Sequence, residues 1–156
     1  KVHLFSRAPV WENRIFTAGR NRILVETPWG KVGLLICYDL RFPELSRALA
    51  LEGAKMILIS SAWPLARKSH LLALAQARAI ENQLFFVSTN QSGTNNAGLR
   101  FAGSSTIFDP LGKVLAEAGE ADEVVQIASI DLTVRDNAKE YMDCLSHRRE
   151  EAYEVL

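Results

Sequence analysis

Three short apolar runs, Val32–Ile36, Met56–Ile59 and Leu84–Val87, alternate with two helix-forming stretches, Glu44–Leu51 and Ser69–Glu81. Apolar runs of this length bounded by turn residues suit buried strands. Strands that alternate with helices argue for an α/β domain with adjacent parallel strands. Gly53 closes the first helix, and Ser61-Ala62-Trp63-Pro64 breaks the second run. The third run ends at Thr89-Asn90 and a polar loop, Gln91–Gly98, follows.

Around this centre the pattern is antiparallel. Thr27-Pro28-Trp29-Gly30 is turn chemistry and predicts a hairpin of Ile23–Glu26 with Val32–Ile36. Asp109-Pro110-Leu111-Gly112 predicts another, joining Ser104–Phe108 to Lys113–Ala116. Lys1–Phe5 alternates like a strand and Val124–Asp131 reads as a last one. Residues from about Val134 onward are charged and predicted to be partly helical.

The 156 residues suffice for one domain with a sizeable core. Lys plus Arg equals Asp plus Glu, at 18 each, and no basic run or aromatic stacking motif points to nucleic acid. No apolar run reaches membrane-spanning length and no signal-peptide pattern opens the sequence. Two cysteines, Cys37 and Cys144, make no disulfide framework, so a reducing cytoplasm is the expected setting. His3, His70 and His147 have no ligand spacing with either cysteine, and no metal or other cofactor is expected.

Cys37 stands where a buried strand ends and Pro43 opens a helix. Outward-pointing N–H groups and the helix dipole there favour a reactive thiolate, although a buried structural cysteine is the common alternative. The N–H of Tyr38 is a natural oxyanion donor, and Lys1 could add a cation, although by itself it reads as a solvated lysine. Arg41 could hold a substrate carboxylate or pair with Glu44. Trp63 and Asn90, at successive strand ends, could line the crevice where α/β sheets bind ligands, with core packing the alternative for Trp63. Arg78 and Glu81 read as a structural salt bridge, and Glu12 by itself as a surface acid.

Gly33-Leu34-Leu35-Ile36-Cys37-Tyr38-Asp39-Leu40-Arg41-Phe42-Pro43-Glu44 resembles the nucleophile motif of the nitrilase superfamily, the carbon–nitrogen hydrolases. Lys1-Val2-His3-Leu4-Phe5 is similar to that family's lysine motif and Glu12–Gly19 to its second-glutamate segment. Ala77–Gln83 and Phe101–Ser105 match as well, in order, over nearly the whole chain. The resemblance implies a four-layer α-β-β-α sandwich, assembled into a homodimer or larger oligomer. It implies cleavage of a non-peptide C–N bond in a small amide by a Glu-Lys-Cys triad without metal. Cys37 is then the nucleophile, Lys1 the triad lysine and Glu12 the second carboxylate. An ω-amidase-like substrate bearing a carboxylate is expected, with nitrile or N-carbamoyl hydrolysis, or a non-catalytic interaction module, as alternatives. In that family the general-base glutamate precedes the lysine motif, so residues 1–156 are expected to be the C-terminal portion of the domain.

Overall fold

In the computed structural model, which describes residues 1–8, 10–121 and 123–153, the apolar runs form one six-stranded mixed sheet. Its strands lie in chain order: β3 (Ile23–Thr27), β4 (Gly30–Ile36), β5 (Ala54–Ser61), β6 (Phe85–Asn90), β7 (Thr106–Phe108) and β8 (Val114–Glu117). The central β4, β5 and β6 are parallel, and the outer pairs are antiparallel. Parallel neighbours need crossovers, and α1 (Pro43–Leu51) and α2 (Lys68–Asn82) supply them. A two-residue ribbon, β1 (Ser6–Arg7) with β2 (Val10–Trp11), precedes the sheet. A helix, α3 (Thr133–Tyr141), follows it.

The period-two alternation of the strands sorts their side chains into two unlike faces. Leu35, Ile57, Ile59 and Phe86 pack with Leu49 of α1 and Leu71 and Ala75 of α2, all at most 3% exposed. Each large side chain buried there stabilises the fold by about 1.5–3 kcal/mol. Gly33 lets α1 approach, since a Cβ on it would lie 3.0 Å from Leu49 Cδ1. On the other face Ile23, Leu34, Leu58, Val87 and Ile107 form a row across five strands. The first three of these are 50%, 40% and 37% exposed. The described residues therefore supply one helical layer and one sheet layer.

Two predicted strands do not form. Residues 1–5 make an irregular arm that bends at His3, because the N–H groups of Val2 and His3 go to the Asp39 carboxylate and that of Phe5 to Glu12. Residues 124–131 find no ladder partner among the described residues. Ala128, Ile130 and Leu132 instead line a cleft of about 520 Å³ against Leu34 and Leu58, while Val125 and Ile127 are 88% exposed. Alternation supplies a face, but a strand also needs a neighbouring backbone to bond.

Candidate functional site

At the C-terminal end of β4 the chain turns sharply. Cys37 has φ +48°, a left-handed conformation that costs a non-glycine residue about 1–2 kcal/mol. Cys37–Arg41 then form a 3₁₀ turn, and Pro43 starts α1. The cysteine is half-buried rather than buried, and Tyr38, also half-buried, opens the turn, where backbone N–H groups have no carbonyl behind them. Arg78, buried in α2, steadies this elbow by donating to the Leu40 carbonyl at 3.1 Å and pairing with Glu81 at 2.8 Å.

Lys1 and Glu12 meet on the arm that Asp39 ties to this turn. Lys1 Nζ lies 2.5 Å from both carboxylate oxygens of Glu12, and their side chains are only 12% and 20% exposed. Glu12 Oε2 also accepts the Phe5 N–H at 2.7 Å, so the arm and the carboxylate are tied together. Gly19 anchors the arm from the other side, its N–H donating to the Lys1 carbonyl at 2.8 Å.

Sequence reasoning missed Asp39. It is 1% exposed and accepts N–H groups from both the arm and the end of β4. The available signal was a lone acid two residues beyond the cysteine, in a turn whose neighbours Leu40 and Phe42 are apolar.

Arg41 does not pair with Glu44. Its guanidinium lies over the Trp63 ring, 4.6 Å from the centroid, with Nη1 3.5 Å from His70 Nδ1. Trp63 is 3% exposed, with its indole N–H donating to the Arg67 carbonyl at 2.8 Å, so it belongs to the core and offers one face to Arg41. Asn90 fastens two loops together. Its Oδ1 accepts the Trp63 N–H at 2.7 Å and its Nδ2 donates to the Gly103 carbonyl at 2.9 Å. Cys144 lies apart, in the tail, its N–H donating to Gln83 Oε1.

Gly103, within the Phe101–Ser105 segment, has φ +54°, and a Cβ there would run into the Glu120 carbonyl oxygen. Gly103→Ala should therefore lower stability by about 2 kcal/mol or more, read as a drop in denaturant midpoint. Nearby, Lys68 donates to the exposed Glu120 carboxylate at 2.9 Å and holds its carboxyl below the usual glutamate range.

Comparison with known proteins identifies relatives of this chain. The carbon–nitrogen hydrolase family profile fits residues 1–140. Over 153 residues the chain is 40% identical to the 2-oxoglutaramate amidase of Bacillus subtilis (strain 168), covering 98% of this chain and 58% of that protein. Against the deaminated glutathione amidase of Dictyostelium discoideum the identity is 33%, covering 99% and 56%. The crystal structure of a carbon–nitrogen hydrolase from Helicobacter pylori G27 superimposes with a TM-score of 0.91 at 28% identity, covering 98% of this chain and 58% of that one. The chain thus spans a little more than half the length of the relatives it matches. Profile, sequence and superposition agree that the chain belongs to the carbon–nitrogen hydrolase family, within the nitrilase superfamily.

Proposed function

We propose that this chain carries the nucleophile half of an amidase, acting on a small amide that bears a carboxylate. The observation that carries the reading is the strained Cys37 elbow roped by Asp39 to the arm that presents Lys1 and Glu12. Cys37 Sγ attacks the amide carbonyl carbon, and the oxyanion is met by the Tyr38 N–H and Lys1 Nζ. The C–N bond breaks as the proton given up by the Cys37 thiol reaches nitrogen, and ammonia leaves. Water then attacks the thioester, releasing the acid and restoring the thiol.

Deacylation needs a carboxylate free to take a proton from that water. Glu12 is occupied by Lys1 and Phe5, and the base is assigned to polypeptide outside these residues, packed on the sheet face that α1 and α2 do not cover. The domain is accordingly read as the C-terminal portion of a longer hydrolase fold. A homodimer and a reducing, cytoplasmic setting complete the reading; the two unpaired cysteines suit the latter.

The substrate carboxylate is assigned to Arg41, whose guanidinium is held over the Trp63 ring four residues beyond the nucleophile. Relatives named for 2-oxoglutaramate and deaminated glutathione, both carboxylate-bearing amides, support this choice over nitriles and N-carbamoyl compounds. Ammonia release from a 2-oxo acid ω-amide and from a neutral amide of equal length tests it. Arg41→Leu should raise KM for the charged amide about 10- to 100-fold and alter the neutral one by less than about threefold. Equal losses on both would return Arg41 to a structural role, and no ammonia from either amide would overturn the amidase reading.

A further inference from the structure

The buried Asp39 carboxylate accepts from both the arm and the end of β4. Oδ1 accepts the His3 N–H at 2.7 Å, the Val2 N–H at 3.2 Å and His3 Nδ1–H at 2.9 Å. Oδ2 accepts the Ile36 N–H at 3.2 Å, with the Val2 N–H 3.4 Å away. Val2 follows Lys1 and Ile36 precedes Cys37, so one buried carboxylate joins the residue beside the lysine to the residue beside the nucleophile. Two N–H bonds from adjacent residues leave the arm a hinge. The third donor, on the His3 side chain, closes it, and the imidazole is itself clamped. Its ring stacks on Phe42 at 3.6 Å and 8° between planes. Phe42 in turn meets Tyr38 edge-on, and Tyr38 meets Phe5 of the same arm. The Phe42 N–H donates to the Asp39 carbonyl at 3.1 Å.

We infer that His3, acting through Asp39, is a positioning residue that sets Lys1 Nζ against Cys37 Sγ. The inference rests on reading Cys37 and Lys1 as the reacting groups. Glu12 is bonded to both Lys1 and Phe5, so arm, lysine and carboxylate shift as one body when the clamp opens. A displacement of about 1 Å at a reacting group is enough to cost on the order of 100-fold in rate.

The test compares His3→Asn, His3→Gln and His3→Leu in the intact protein. The Asn Nδ2 superimposes on His Nδ1 and keeps the donor to Asp39; the Gln amide lies one methylene too far, and Leu has no donor. Two quantities are read: the rates at which iodoacetamide labels Cys37 and Cys144, resolved by peptide mass spectrometry, and kcat per titratable Cys37 thiol on the charged amide. Gln and Leu should slow Cys37 labelling about 10-fold, toward the Cys144 rate. They should lower kcat about 10- to 100-fold with KM changed less than about threefold. Asn should hold both within about threefold of the parent. A Leu variant with parental labelling and kcat, or an Asn variant as impaired as Gln, overturns the inference. Where Leu fails to fold, the comparison of Asn with Gln decides alone. If labelling follows this order but no amide releases ammonia, the positioning role stands and the amidase reading falls.

Discussion

Cys37→Ala should abolish amide turnover, by at least about 10⁴-fold in kcat, while Cys144→Ala should stay within about twofold of the parent. The asymmetry follows from where the two thiols sit. Cys37 occupies the left-handed elbow that Asp39 ties to the arm bearing Lys1 and Glu12, and in the proposed reaction it is the group that forms the thioester. Cys144 is part of the tail and touches the rest of the fold through its backbone N–H to Gln83. Alanine tolerates φ +48° no better than cysteine does, so the substitution removes sulfur without relaxing the turn. Intact mass after mixing with the charged amide supplies a second readout. The parent should carry an acyl adduct, and Cys37→Ala should carry none. Loss of turnover in Cys144→Ala instead would place the nucleophile in the tail and remove the elbow from the chemistry.

The second large effect concerns the sheet face that α1 and α2 do not cover. Leu34→Lys with Leu58→Lys should lower the melting temperature of the intact protein by more than about 10 °C and remove turnover. The two leucines are register partners in the middle of an apolar row, at 40% and 37% exposure, and a monomeric protein rarely leaves so continuous a patch in water. If further polypeptide covers the row, two lysines there sit buried and unpaired, which costs several kcal/mol. In residues 1–156 expressed alone the same pair should act oppositely, raising the yield of monomer by removing a surface for self-association. Size-exclusion chromatography of both forms checks this. An intact double variant with parental melting and turnover would mean that the face is solvated in the working protein.

The central β4-α1-β5-α2-β6 unit was legible because each element is long enough to show its period and each end carries a turn residue. Both hairpins were legible from their turns, and Asp109 shows why: its carboxylate accepts the N–H groups of Leu111 and Lys113 and closes the turn locally. The two misread stretches share one cause. Residues 1–5 and 124–131 both alternate, but the partners of the first are the carboxylates of Asp39 and Glu12, and the second has no partner strand among the described residues. Spacing cannot reveal contacts whose ends lie more than twenty residues apart, which is also why the His3–Asp39 link and the placement of Arg41 over Trp63 had to be found in the folded chain. Asn90 is the subtler case. Its position at a strand end was readable, yet the fastening of both its amide oxygen and its amide nitrogen to loop backbone was not.

That fastening bears on how such a scaffold can diversify. The Gln91 N–H donates to the Ser61 carbonyl, the Gly103 N–H to the Gln91 carbonyl and the Phe101 N–H to the Gly93 carbonyl, so residues 94–100 leave and rejoin the body through a closed neck. Within the excursion Asn95 bonds the N–H groups of Ala97 and Leu99, and the segment needs no support from the sheet. A loop with its own internal order and a sealed base can be lengthened, shortened or exchanged at the modest entropic cost of a surface insertion. The elbow, the arm and the Asn90 knot would stay put while a new rim is fitted above them, leaving reactivity and selectivity to change on separate schedules.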